Sequence, residues 1–151
     1  MVKLIVNINV DMKKTIQKDW TQALTEATRY VHRVVNENFE ADGRPPWAPL
    51  SPKYLKYKTS KGYPAKIMQK TGILMKSIKE SITRNVGSVY TNVPYAIYHH
   101  FGYTTRIWGR PVRVPARPLF VLSDDNIKNI VAIFNKHAVT TGGARYQEVI
   151  R

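Results

Sequence analysis

The octapeptide YAIYHHFG, Tyr95–Gly102, sets two adjacent histidines among aromatic and apolar residues. Imidazoles are common metal ligands and general bases near neutral pH, so this segment is the first place to look for chemistry. Its spacing argues against both roles. Helical zinc sites use histidines about four residues apart, which brings both rings to one face. Adjacent helical positions diverge by about 100°. His32 and His137 fall on other predicted helices with no supporting cluster. The expected arrangement is one ring packed and the other exposed, with a pH-sensitive interface as the alternative.

The remaining reactive residue types add no site. Asp11, Asp19, Glu26, Glu37, Glu40 and Asp42 lie in or beside the first predicted helix, and Asp124 and Asp125 at the start of the last. A helix start favours negative charge, and no spacing pairs two carboxylates for acid–base work. There is no cysteine, which excludes disulfides, thiolate nucleophiles and cysteine-ligated zinc. A Gly-x-Ser-x-Gly elbow and a phosphate-cradling glycine loop are both absent, and Ser51 and Ser77 have no base beside them in sequence. No catalytic residue, metal or cofactor is expected, and the chain reads as a protein that is not an enzyme.

The stronger signal is charge. The chain has 24 Lys and Arg against 10 Asp and Glu, a net +14. Such a chain repels its own copies and attracts polyanions: nucleic acid, acidic protein or anionic membrane. In PKYLKYKTSKGYPAKIMQK, Lys53, Lys56, Lys58 and Lys61 interleave with Tyr54 and Tyr57. Lysines can neutralise phosphates while tyrosines stack on bases. The same residues also suit docking on an acidic neighbour, or packing on the domain itself. Arg106, Arg110 and Arg113 surround Trp108 in a second basic, aromatic group. Trp47 and Trp108 sit in predicted loops, where aromatics fill either an interface pocket or a local mini-core.

The elements that must carry these residues follow from periodicity. Residues 3–10 (KLIVNINV) alternate with period two and predict a strand. No run approaches the ~20 apolar residues of a membrane span, and the N-terminus suits a strand better than a signal peptide. The expectation is a soluble protein made in the cytoplasm. Asp11 is a plausible cap for a helix to about Phe39, with Ile16, Trp20, Leu24, Ala27, Tyr30, Val31, Val34, Val35 and Phe39 as its apolar stripe. Pro45, Pro46, Pro49 and Pro52 then stop regular structure, and residues 44–70 read as a long surface loop or arm. Ile73–Ile82 suggests a short helix giving way to a strand. A hairpin turning at Asn85–Ser88 follows, then a short helix from Pro94 ended by Gly102. Tyr103–Val114 reads as an extended hairpin, and a helix capped by Ser123 or Asp124 runs to about His137. The expected organisation is one α+β domain over residues 1–138, an antiparallel or mixed sheet backed by two helices, and a flexible tail at 139–151.

Four segments occur in order: FEADGRPPWAPLSPKY (Phe39–Tyr54), KIMQKTGILMKSI (Lys66–Ile78), YAIYHHFG (Tyr95–Gly102) and VPARPLFVLSDD (Val114–Asp125). Together they resemble the phage virion morphogenesis family, the tail-completion proteins of Mu-like and P2-like phages and prophages. The correspondence runs through Gly43 with Pro46–Ser51, Thr71–Ile78, Tyr95–Gly102 and Pro115–Pro118, and covers about residues 30–135. The stretch Tyr54–Tyr63 and the Arg-Trp insert between Gly102 and Pro115 depart from it. The resemblance implies a structural subunit of the virion neck or tail end, acting in tail completion or head–tail joining. It implies a homo-oligomeric ring, commonly six-fold, around the DNA channel, with other neck and tail proteins as partners and no membrane. In that setting Trp47, Leu50, Tyr54, Tyr57, Phe101, Trp108 and Arg117 are the expected interface residues. Lys53, Lys56, Lys58, Lys61, Arg106, Arg110 and Arg113 are the expected contacts to channel DNA or to an acidic partner. The rival reading is a stand-alone basic nucleic-acid-binding protein. A lytic or nucleolytic enzyme comes third.

Overall fold

The structure, a computed structural model, describes residues 4–9, 19–107 and 109–139. In order its elements are β1 (Leu4–Asn9), α1 (Thr21–Glu40), α2 (Pro52–Ser60), α3 (Ile73–Lys76), β2 (Lys79–Ile82), β3 (Val86–Thr91), α4 (Ala96–Phe101), β4 (Tyr103–Ile107), β5 (Arg110–Val114) and α5 (Asp124–Val139). The fold is α+β, as the sequence predicts. Strands form a three-stranded sheet ordered β1-β3-β2 and a separate ribbon of β4 with β5. Two compact units result. A sheet unit gathers Ile5–Val34, Lys79–Tyr90 and the segment from Leu122 onward; a hairpin unit gathers Val35–Ile78 and Thr91–Val121.

In the sheet unit the first part of α1 buries Ala23, Leu24, Ala27, Val31 and Val34. Steps of three and four residues put them on one face. From α5 come Ile130, Phe134 and Ala138, with the Trp20 and Phe134 rings 5.9 Å apart. The start of α5 is a reciprocal cap. Ser123 N–H donates to Asn126 Oδ1 at 2.9 Å, and Asn126 N–H donates to Ser123 Oγ at 3.2 Å. The Tyr30 hydroxyl accepts from the side-chain amides of Asn126 and Asn129, each at 2.9 Å.

Two expectations change here. Asp19 and Trp20 precede α1, and Asp19 Oδ1 accepts the Thr21 N–H at 2.9 Å; the cap predicted at Asp11 lies outside the described residues. The hairpin turn comes earlier than predicted. Ile82 pairs with Gly87, so Val86, Gly87 and Ser88 belong to β3, and Thr83 N–H closes the turn on Val86 O at 2.8 Å. Gly87 is a packing glycine, since an added Cβ would collide with the Thr28 hydroxyl on α1. The predicted tail begins at 139, and residues 140–151 lie outside the description.

In the hairpin unit α1 ends where Asp42 (φ 53°) and Gly43 (φ 99°) turn the chain. The late carbonyls of α1 are taken by side chains: Gln69 Nε2 donates to Phe39 O at 2.7 Å and Lys66 Nζ to Glu40 O at 2.5 Å. The stretch read as a loop or arm contains α2. Ser51 Oγ caps it by accepting Tyr54 N–H at 3.3 Å, and Pro52 occupies the first turn, where no intrahelical N–H is needed. Pro45, Pro46 and Pro49 all precede the cap, so the proline run positions a helix start. At its far end Gly62 (φ 77°) turns the chain out and Tyr63 N–H reaches Lys58 O at 3.2 Å. The core of this unit is Val35, Phe39, Trp47, Ile67, Leu74, Ile78, Ala96 and Leu119.

Gly102 ends α4 with φ 75° and ψ 163° and leads directly into β4. A Cβ there would sit 2.7 Å from Ala116 N and 2.9 Å from Val114 O, both backbone. Gly102→Ala should therefore lower stability by about 1–3 kcal/mol through combined strain and collision. Urea unfolding should show a lower midpoint at unchanged slope; an unchanged midpoint would refute the tight corner.

Candidate interface for protein and polyanion

All eight large apolar side chains found exposed among the described residues lie in the hairpin unit: Tyr54, Tyr57, Ile73, Tyr95, Tyr98, Phe101, Ile107 and Val112. Tyr54 and Tyr57 project from α2 as a pair 6.3 Å apart. On α4, Tyr98 packs edge-on against Tyr103 at 6.0 Å, and His99 bridges Tyr95 and Tyr103 at 6.0 and 5.9 Å. Phe101, 68 % exposed, touches only its neighbour His100 among the ring contacts described, at 4.7 Å.

The ribbon continues this surface. Residues directly opposite in an antiparallel pair share a face. Tyr103, Thr105 and Ile107 thus share a side with Val114, Val112 and Arg110, while Thr104 and Arg106 share the other with Arg113 and Pro111. Ile107 and Val112 are exposed on the first side, and Arg106 and Arg113 on the second. The ribbon is amphipathic, with an uncovered apolar side.

Charge gathers in the same unit. Across Gly43–Ile78 and Thr91–Val121 there are 12 Lys and Arg and no Asp or Glu. Lys53, Lys56, Lys61, Arg106, Arg110 and Arg113 are exposed, as a polyanion contact requires. Lys58 is corrected. It is 2 % exposed, and its ammonium donates to Lys66 O inside the unit. Burial pulls its pKa down while Asp42 counters. Its place on the inner side of α2 explains the difference, since strict alternation of lysine and tyrosine means little on a helix of period 3.6.

Among the expected interface residues, Tyr54, Tyr57 and Phe101 are exposed and Leu50 is half-buried; Trp108 lies outside the described residues. Trp47 and Arg117 are occupied within the unit. Trp47 packs edge-on to Phe39 at 5.5 Å, and its indole N–H donates to Pro118 O at 2.8 Å, which realises the mini-core alternative. Arg117 is 6 % exposed, with Nε donating to Ala48 O at 2.9 Å and Nη2 to Pro49 O at 3.2 Å. It partners backbone carbonyls of a proline-rich segment, which has few amides of its own to offer in return.

The two histidines differ from expectation in that both are half-buried. The segment Arg117–Leu119 covers α4: Arg117 N–H donates to His99 O at 2.8 Å, and Leu119 N–H donates to His100 Nδ1 at 3.1 Å. His99 Nδ1 is buried without a hydrogen-bond partner among the described residues. Burial depresses both imidazole pKa values, with the Arg117 charge adding to the effect on His99. Sequence reasoning missed two further contacts in the sheet unit. His32 meets Glu80 at 3.3 Å, and His137 meets Glu26 at 2.8 Å. Hydrogen bonds from His137 and then Lys136 hold the Glu26 carboxyl below its usual value. Such long-range pairs leave no local sequence signal. Glu26 and His137 line an open groove of about 590 Å³ with Thr21, Thr25 and Arg29. The Thr25 hydroxyl there is already committed to Thr21 O at 2.7 Å, so it is not poised as a nucleophile. Among the described residues no three His, Asp or Glu side chains converge as a metal site.

Two outcomes follow for this surface. His99 and His100 have folded-state pKa values below the ordinary ~6.5, so the unfolded chain binds more protons as pH falls through that value. Stability should be full above about pH 6.5 and decline below it. Urea midpoints at a series of pH values should show the fall, and the double variant His99→Gln, His100→Asn should flatten it; identical profiles would refute the assignment. Arg117→Met should cost about 1.5–3 kcal/mol, the range for a charged donor lost from its acceptors. Lys56→Glu should stay within about 0.5 kcal/mol.

Residues 9–138 match the phage virion morphogenesis family. A 97-residue stretch, 64 % of this chain, is 37 % identical to the Mu-like prophage FluMu G protein 2 of Haemophilus influenzae and spans 62 % of that protein. No solved structure matches the chain. With the family match running through both compact units, the chain belongs to the phage virion morphogenesis family.

Proposed function

We propose that this protein is a structural subunit of the virion neck or tail end that completes the tail or joins it to the head. Its role in virion morphogenesis follows from family membership. The finer reading makes it a homo-oligomer, a ring of six copies around the DNA channel, contacting other neck and tail proteins. The observation that carries it is the concentration of exposed aromatic and apolar side chains in the unit that also holds the acid-free basic segments. A free monomer gains nothing from wet tyrosines and phenylalanine; an assembly subunit buries them. No described helix is long and apolar enough to cross a membrane, and the reading places the protein in the particle.

The second reading, a stand-alone nucleic-acid-binding protein, is favoured by the exposed Lys53, Lys56, Lys61, Arg106, Arg110 and Arg113. Size-exclusion chromatography with light scattering, with and without duplex DNA at several salt concentrations, separates the two. The neck reading expects a multimer, alone or with its virion neighbours. The rival expects a monomer whose DNA affinity falls steeply with salt, by a log–log slope of about 0.9 per phosphate contacted. Reversing Lys53, Lys56 and Lys61 to Glu should leave thermal stability unchanged. In particles made with that variant, unjoined heads and tails would point to partner docking, and joined particles that lose DNA would point to a channel. Normal infectious particles would overturn both placements of the charge.

A further inference from the structure

The β4–β5 ribbon has one open hydrogen-bonding edge and one impaired edge. Ile107 and Arg110, with two residues between them in sequence, are the last pair of the ribbon and close it as a hydrogen-bonded pair. Bonded and non-bonded pairs alternate along an antiparallel ladder. Arg106↔Pro111 and Thr104↔Arg113 are therefore the non-bonded pairs, and their backbone groups point away from the ribbon. Pro111 fits that parity, because it has no N–H to give its partner. On β5 the outward row lacks the donor at Pro111. On β4, Thr104 and Arg106 each present an N–H and a C=O outward. Both are exposed, and among the described residues the ribbon has two strands.

We propose that the outer edge of β4 is an acceptor for an extended strand from a partner protein, a strand whose side chains alternate between acidic and apolar. Main-chain pairing at Thr104 and Arg106 supplies the attachment, and the two faces of the ribbon supply the selection. An added strand places alternate side chains on each face. On one side they meet Arg106, with Arg113 behind it, where carboxylates are favoured; on the other they lie beside Tyr103, Thr105 and Ile107, where β-branched or aliphatic groups pack. Charge complementarity selects the occupant, since the ribbon exposes Arg106, Arg110 and Arg113 and Thr91–Val121 contains no acid. A second copy pairing through its own β4 would set arginine-bearing edges together and is disfavoured. This inference is independent of ring formation and of position in the virion.

The test uses the full chain and a short synthetic peptide alternating valine and glutamate. A peptide of the same composition with its glutamates in one block and a valine–lysine alternating peptide are the controls, and duplex DNA is a separate arm. Binding is read by fluorescence anisotropy and by amide hydrogen exchange. The alternating acidic peptide should bind at least about tenfold tighter than the blocked one, because only alternation puts carboxylates beside Arg106 and valines beside Tyr103, Thr105 and Ile107 at once. It should also slow exchange at the Thr104 and Arg106 amides. Thr104→Pro, which removes one outward donor as Pro111 does opposite, should abolish that advantage. Should that variant not fold, Arg106→Glu keeps the backbone edge and should move the preference to the lysine peptide. Equal binding of alternating and blocked peptides overturns the proposal. So does protection of these amides by self-association without peptide, or by duplex DNA alone.

Discussion

Two proline-rich segments cannot hold each other by a backbone ladder, and the hairpin unit is organised around that restriction. Around Pro45–Pro52 and Pro115–Pro118 too few amides remain to pair with the carbonyls, so side chains do the pairing. The Arg117 guanidinium joins Ala48 O and Pro49 O, and the Trp47 indole answers from the other segment to Pro118 O. The same return segment donates its amides at Arg117 and Leu119 to the two histidines of α4. Because α4 is fixed by that segment, the exit at Gly102 and the direction of the ribbon are fixed too. Because Trp47 is fixed, so is the path into the Ser51 cap and α2. The exposed tyrosines and arginines are thus mounted on a frame whose joints are internal and polar.

Most of the element order was legible in the sequence. Period two marked β1, and steps of three and four marked α1 and α5. Ser123 and Gly102 punctuated the chain where the structure has a cap and a corner. What was not legible has two causes. Four prolines read as a ban on regular structure, yet proline is harmless before a helix and at its first turn, and α2 begins at Pro52. Gly87 read as a turn residue because a sequence cannot display the Thr28 hydroxyl that demands a missing Cβ. Lys58 read as one more surface charge because nothing local says which lysine faces Lys66 O. For Trp47 and Arg117 the sequence left a contact within the subunit and one to other chains both open, and their acceptors lie some 70 residues away. Gly87, Trp47 and Arg117 have partners far along the chain, whereas the start of α2 turns on the local fact that proline suits a first turn.

With the internal residues set aside, the surface that remains is coherent. Tyr54 and Tyr57 on α2, Tyr95 at the start of α4, Tyr98 and Phe101 on it, and Ile107 and Val112 on the ribbon are exposed in the unit that also carries the exposed Lys53, Lys56, Lys61, Arg106, Arg110 and Arg113. The sheet unit instead pairs its charges: Glu80 with Arg29 and His32, Glu26 with Lys136 and His137. The hairpin unit pairs Arg44 with Glu37 and Lys66 with Asp42 as well, but its segments beyond Asp42 carry cations and no acid.

Pro111 has a wider consequence. Virion parts accumulate at high local abundance, and a bare ribbon is the kind of element that seeds fibrils by stacking without end. A row that lacks a donor is a poor template, so Pro111 blunts one side of the ribbon against such stacking and leaves the β4 side as the better place for a strand to add.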